Sequence, residues 1–326
     1  MTAKRRHVLA AAGLLMACAM PPALAQEWPS RSVRFVVAWP PGGGGDFVGR
    51  VLAQKYSELL GQPFVIDNKP GASGTIGTDW ASKQTADGYI FVLSQANNSV
   101  IAPNVLKVAF DPVKDFTPIA YIGFVPNVLV VPAGSASKSV AGLIETAKAN
   151  PGRLTYASAG NGSTQHMAGA MFSQIIGSPL THVPYKGSGL ALTDLVAGRV
   201  DMNFDTMPSI LGSVRSDKLR ALAVSTSQRV PQLPGVPTFA EVGITGLANV
   251  KNWYGVSAPR GLPAPIVERM AQATRTALQD PAVREKLEQQ GLIFEGPATS
   301  AEFARFIEDD VGRYAKLVKD LKITVD

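Results

Sequence analysis

The sequence predicts an α/β fold with largely parallel sheets, and three observations predict it. Short β-rich apolar runs alternate along the chain with longer segments of helical spacing. Glycine-rich loops stand at points where a strand gives way to a helix. The chain has 326 residues, 46% hydrophobic and 17% charged, which is room for about two domains with real cores.

The elements follow in order. The run 33–37 is β-rich and closes at Pro40-Pro41. After a glycine loop, Phe47, Val51, Leu52 and Leu59 recur at nearly helical spacing and predict a helix over 46–60. Strands are expected at 64–66, 89–93, 128–131 and 154–157, then a helix over 163–176, then strands at 221–224 and 254–256. The C-terminal part reads as helical over 264–279, 281–290 and 300–319. Pro281 suits the first position of a helix, with Asp280 as its cap. No internal repeat and no low-complexity linker interrupts this alternation.

The first residues read as an export signal. Lys4, Arg5 and Arg6 precede an apolar stretch, and Ala23-Leu24-Ala25 has the small-x-small pattern of a signal peptidase site. Cleavage is expected after Ala25, which would make the protein periplasmic. A competing lipobox reading of 15–18 would lipidate Cys18 instead, and Arg5-Arg6 leaves twin-arginine export open. Without the three basic residues of this segment, 28 basic residues face 25 acidic ones, a net +3. That excess is too small for a nucleic-acid footprint. Cys18 is the one cysteine, and beyond the signal only His166 and His182 remain as histidines. Disulfide frameworks, Cys/His zinc sites and a Cys nucleophile are therefore excluded for the body of the chain. No later apolar run approaches the roughly 18 residues of a membrane span.

The informative loops are rich in glycine and poor in catalytic groups. They are Pro41-Gly42-Gly43-Gly44-Gly45-Asp46, the stretch 68–77 around Ser73-Gly74, and Ser158-Ala159-Gly160-Asn161-Gly162-Ser163. Glycine lets a ligand approach the backbone, and the start of a helix presents unpaired N–H groups to an anion. The plainer reading is that the glycines only make turns and that Asp46 and Ser163 only cap helices. Enzyme motifs fail one by one. Gly160 and Gly162 are followed by Gln165 rather than a third glycine, and Gly71-Ala72-Ser73-Gly74-Thr75 lacks the last glycine of a nucleophile elbow. Ser163 and His166 remain a conceivable pair, and an exported hydrolase or isomerase built on them is the alternative function.

Fragments along the body resemble one family. They include Trp28-Pro29-Ser30-Arg31, the glycine loop ending at Asp46, Asn68-Lys69-Pro70-Gly71-Ala72-Ser73-Gly74, and Asp87-Gly88-Tyr89. Tyr156-Ala157-Ser158 with His166-Met167-Ala168, Val183-Pro184-Tyr185-Lys186-Gly187, and Asp194-Leu195-Val196-Ala197-Gly198-Arg199 follow in order. Leu233-Pro234-Gly235-Val236-Pro237-Thr238 and Trp253-Tyr254-Gly255 complete the set. Together they resemble the extracytoplasmic solute receptors of the tripartite tricarboxylate transporters, also called the Bug family.

The resemblance implies a type II periplasmic binding protein fold, two α/β lobes joined by two crossovers. Lobe one would hold 26–126 and 252–326, and lobe two 127–251. It implies a non-catalytic monomer without cofactor or metal. Such a receptor binds a small carboxylate through backbone N–H groups and waters, and passes it to membrane permease subunits or a sensor. Carried onto this chain, the ligand-binding residues would be Pro41, Gly42, Gly43, Gly44, Gly45, Asp46, Ser73, Gly74, Ser94, Gln95, Ala96 and Asn97 in lobe one. In lobe two they would be Ser158, Ala159, Gly160, Gly162, Ser163, His166, Tyr185, Lys186 and Asp205. The blander readings place Tyr185 and Lys186 at the rim, Asp205 in a turn beside Pro208, and Trp39 and Phe47 in the core. Two departures stand out. Gly45 occupies a position that usually carries Ser or Thr in the family, and Gln95-Ala96-Asn97-Asn98 replaces a stretch often richer in Thr and Gly.

Overall fold

The structure is a computed structural model and describes residues 28–324. The expected export signal, its cleavage point after Ala25 and Cys18 lie outside those residues. Two five-stranded sheets organise the chain. The first comprises β1 (Val33–Val37), β2 (Phe64–Asn68), β3 (Ile90–Gln95), β4 (Phe116–Val125) and β10 (Asn252–Pro259), in the order β2-β1-β3-β10-β4. The second comprises β5 (Asn127–Pro132), β6 (Thr155–Ser158), β7 (Thr181–Pro184), β8 (Met202–Thr206) and β9 (Leu219–Val224), in the order β7-β6-β8-β5-β9.

The expectation of largely parallel sheets needs correction. β1 runs parallel to β2 and β3, and β6 runs parallel to β7 and β8. β10 is antiparallel to β3 and β4, and β5 is antiparallel to β8 and β9. The reason is topological. A parallel neighbour needs a crossover on the same sheet. β5 follows β4 after Pro126 alone, and β10 returns from the second sheet, so neither enters its sheet through such a unit.

Helices cover the sheets: α1 (Gly44–Leu60), α2 (Thr75–Ser82), α3 (Ala102–Val105), α4 (Val140–Ala149), α5 (Thr164–Ile176), α6 (Ser188–Val196), α7 (Met207–Arg215), α8 (Ala264–Gln279), α9 (Pro281–Gln289) and α10 (Ser300–Asp320). Local chemistry sets their ends. α1 stops where Gly61 takes the left-handed conformation, φ 72°. Asp280 caps α9 by accepting from the N–H groups of Ala282 and Val283. Thr299 and Glu302 form a capping box at the start of α10.

Each sheet has its own core. Phe35, Phe91, Leu93 and Val256 of the first pack with Leu52 and Tyr56 of α1 and Met270 of α8. Tyr156, Phe172, Phe204 and Phe239 fill the second, which continues through Phe124 and Trp253 to Phe303 and Tyr314 of α10. Burying each such side chain contributes about 1.5–3 kcal/mol. The two connections between the sheets are tied together where Asn127 Nδ2 donates to the Val250 carbonyl at 3.1 Å. No helix among the described residues is long and apolar enough to cross a membrane.

Candidate ligand-binding cleft

Loops from both sheets meet around a cavity of about 310 Å³. Four helix starts face it. Gly44 and Gly45 open α1, Gln165 lies in the first turn of α5, Ser188 to Leu190 open α6, and Thr206 with Ser209 marks the start of α7. First-turn N–H groups have no partner within their helix and carry the positive end of its dipole. Among the described residues, Lys186 is the one charged side chain in the lining, and no carboxylate lines it. The walls are otherwise largely apolar, with Trp39, Pro40, Pro41, Ala159, Leu190 and Tyr254 among them. Such a space favours a small anion with an apolar body.

Two carboxylates brace the walls from behind. Asp46 Oδ2 accepts from Gly42 N at 3.0 Å and from Arg50 Nε at 2.8 Å, and its Oδ1 accepts from Asn68 Nδ2 at 2.9 Å. Burial pushes its carboxyl up, but Arg50, Gly42 and Asn68 together hold it below the ordinary value. Asp46 therefore fixes the glycine loop, while Gly43 is the cap residue of α1. Asp205 is fully buried and accepts from Gln165 Nε2 and Ser188 Oγ, both at 2.9 Å, from Thr206 N at 2.7 Å and from Asn203 Nδ2 at 3.1 Å. Burial pushes its carboxyl up, and the four donors oppose that rise. Through Gln165 and Ser188 it orients two lining residues on two different helices.

The lobes touch across the cleft. Ser73 Oγ donates to the Asn161 carbonyl at 2.6 Å, and Thr164 N donates to Asn97 Oδ1 at 2.8 Å. The second contact caps α5 from the opposite lobe, so Asn97 already occupies part of the anion-attracting end expected there. Gly162, at φ 77°, passes against Ala102, where a Cβ would lie 2.7 Å from its Cα.

The family model for the tripartite tricarboxylate transporter family receptor matches residues 48–323. The chain belongs to this family. Bordetella pertussis (strain Tohama I) BugT is 36% identical over 96% of this chain and 97% of its own length. A Rhodopseudomonas palustris protein solved with adipate superposes with a TM-score of 0.86 at 36% identity, covering 91% of this chain and 99% of that one. MatC from Rhodopseudomonas palustris, solved with bound malate, gives 0.84 at 30% identity, covering 89% and 100%. The two-lobe periplasmic-binding fold of this receptor is thus shared with its solved relatives.

The expected site residues of the receptor divide into two groups. Pro41, Gly42, Gly43, Gly44, Gly45, Gln95, Asn97, Ala159 and Lys186 line the cavity. The rest lie behind it or beside it. Ser94 Oγ donates to Ser257 Oγ at 2.8 Å, Ala96 is buried in the second core, and Gly74 packs against Asn98 and Ala38. Tyr185 turns away, its hydroxyl donating to Asp194 Oδ2 at 2.8 Å. Ser163 caps α5: its Oγ donates to the Gly160 carbonyl at 2.7 Å and accepts from the backbone N of His166 at 3.2 Å. Ser163 and the His166 imidazole therefore form no nucleophile pair, because that imidazole is engaged elsewhere.

That imidazole stacks on His182 with ring centres 4.0 Å apart and planes within 6°. Its Nδ1 accepts from Gly162 N at 3.3 Å, while Ser158 Oγ bonds His182 Nε2 at 2.6 Å. The pair thus supports the 158–163 loop from below. Burial lowers the His166 pKa to about 4, and burial with the neighbouring His166 lowers His182 to about 3. Both are neutral when folded but protonate near 6.5 in the unfolded chain. Their stabilisation is complete above pH 6.5 and is lost as the pH falls towards 4 and then 3. Each histidine costs about 1.4 kcal/mol per pH unit in that window. His182→Gln is expected to flatten the fall in melting temperature between pH 6.5 and 4, and an unchanged slope would refute the assignment.

Sequence reasoning missed Gln165, Ser188, Gly189, Leu190, Thr206, Ser209, Asn252 and Tyr254, which also line the cavity. Gly187-Ser188-Gly189 carries the same strand-to-helix glycine signal as the loops at 41–46 and 158–163, and Pro208 marks a helix start. Asn252 and Tyr254 sit on a strand buried along its whole length, and nothing in the sequence separates them from core.

Proposed function

We propose that this receptor binds a small organic carboxylate in the cavity between its lobes and releases it unchanged, for uptake by membrane permease subunits or for sensing. The observation that carries the reading is the convergence of four helix starts on a space without a lining carboxylate. The lobes of the proposal are 26–126 with 252–326, and 127–251. The ligand contacts are the lining residues named above, with Asp46, Asp205 and the 158–163 loop as their supports. Export to the periplasm by the N-terminal signal completes the proposal. The hydrolase or isomerase alternative loses its support, since Ser163 Oγ faces a carbonyl and a backbone N–H rather than an imidazole nitrogen.

Adipate and malate are the first probes, because structural relatives were solved with them. A thermal shift and a calorimetric isotherm with at least one acid of a wider carboxylate panel, recovered intact afterwards, are the expected results. Turnover of the acid, or no binding by any carboxylate, would overturn the reading. Salt gives a second expectation. Lys186 is exposed, whereas helix-end N–H groups in a closed cleft are little screened. Lys186→Ala should cost less than roughly 1 kcal/mol, and affinity should change less than about threefold between low and physiological salt. A tenfold loss in either calorimetric experiment would make Lys186 the main anchor instead.

A further inference from the structure

Among the described residues, three side chains in the cavity lining carry a buried polar atom without a partner: Trp39 Nε1, Gln95 Nε2 and Asn252 Oδ1. Their residues are 9%, 2% and 3% exposed. The sheet brings them together. Val36 of β1 pairs with Val92 of β3, so Trp39 and Gln95 continue that parallel register three residues beyond it. Gln95 pairs with Tyr254 of β10, and Asn252 lies two residues earlier on the same strand. Asn252 Nδ2 donates to Tyr254 Oη at 3.3 Å, which leaves its Oδ1 unpaired. The Gln95 amide lies against the first turn of α1, in the space a side chain at Gly45 would fill. A family member with Ser or Thr there could not place a glutamine amide in the same way.

Buried donors and acceptors are rarely left unpaired, so an orphaned set on residues that line a cavity points to the group that completes it. We propose that Trp39, Gln95 and Asn252 form an end-subsite that reads a ligand group able to accept two hydrogen bonds and donate one. A carboxylate with an adjacent hydroxyl has that pattern, and so has a carboxamide. An alkyl end leaves all three atoms unpaired. A bare carboxylate satisfies the two N–H groups but sets its own oxygens against Asn252 Oδ1. The inference rests on the carboxylate reading above and narrows its ligand to acids with a hydroxylated or amidated second end.

The test uses two series of acids on the full receptor: succinate, malate, succinamate and butyrate, and adipate, 2-hydroxyadipate, adipamate and hexanoate. In at least one series the hydroxylated or amidated member is expected to bind about tenfold or more tighter than the plain dicarboxylate, with the alkyl acid weakest. Which of the two leads distinguishes the hydroxyl source from the carboxamide source. Trp39→Phe keeps the ring and removes the N–H. Gln95→Leu keeps the volume and removes the amide. Both variants should reduce the preference to less than about threefold. A wild-type receptor without that preference overturns the proposal. So do folded variants that keep it in full, since buried water then satisfies these atoms. If Gln95→Leu does not fold, the wild-type ranking and Trp39→Phe decide. Failure of every acid in both series and in the wider panel instead sinks the carboxylate reading itself.

Discussion

Gly45→Val is expected to abolish carboxylate binding in a protein that still folds. Gly45 is the second residue of α1, and its φ is not in the left-handed region, so the backbone accepts a side chain. A Cβ there runs into the Gln95 amide nitrogen, the movable end of a long side chain. The stability cost should stay near 1–2 kcal/mol. The valine methyl groups, however, cover the first N–H groups of α1 and displace the Gln95 donor. A loss of at least about 100-fold in affinity, roughly 2.7 kcal/mol, is expected by calorimetry. Gly43 is the contrast. As the cap residue it has φ −85°, and the nearest atom to a Cβ there is the Pro40 carbonyl oxygen at 3.8 Å. Gly43→Ala should therefore be tolerated far better. Equal affinities for the wild type and a folded Gly45→Val variant would remove α1 from the site.

The second large effect is expected at Asp205. Replacing it with leucine leaves Gln165 Nε2, Ser188 Oγ, Thr206 N and Asn203 Nδ2 without their acceptor in a fully buried place. Stranding buried donors in this way should cost about 3–5 kcal/mol. For a chain of this size the melting temperature should fall by on the order of 10 °C. Binding should fail as well, because Gln165 and the start of α6 lose their common anchor. Asp205→Asn keeps one oxygen acceptor and removes a charge that burial already disfavours, so its stability loss should be smaller. Equal melting temperatures for the leucine variant and the wild type would show that this network does not hold the second lobe's loops.

Much of the fold was legible where amphipathic length made it so. α8 has the boundaries the spacing predicts, 264–279, and Asp280 with Pro281 announces α9. β4 was hidden by its own composition, since Pro118 and Gly123 are residues that usually break strands. Gly123 is needed there because Ile293 passes so close that a Cβ would meet its carbonyl oxygen at 2.6 Å. β7, Thr181–Pro184, is four residues long and ends in proline, too short for any period to register. The strand direction was misread because alternation reports the order of elements and not the sheet a strand joins.

The cleft was legible in the same uneven way. The loop at 41–45 is readable as a cavity wall because glycine runs before a helix have a physical use. Ser158, Ser163 and His166 lie in an equally suggestive loop, but they brace it from beneath, joined through a stacked imidazole pair that requires His182 from a neighbouring strand. Asp205 could be singled out as polar, yet its role depends on donors from two other segments, Gln165 and Ser188. Long-range pairing of this kind leaves no local pattern.

A crystal structure of the receptor with a bound acid from the panel tests the central claim most directly. The account predicts the acid between the lobes, its carboxylate within hydrogen-bond reach of N–H groups at the starts of α1, α6 or α7, with both lobes contributing contacts. An acid seated outside that cavity, or held by one lobe alone, would contradict it.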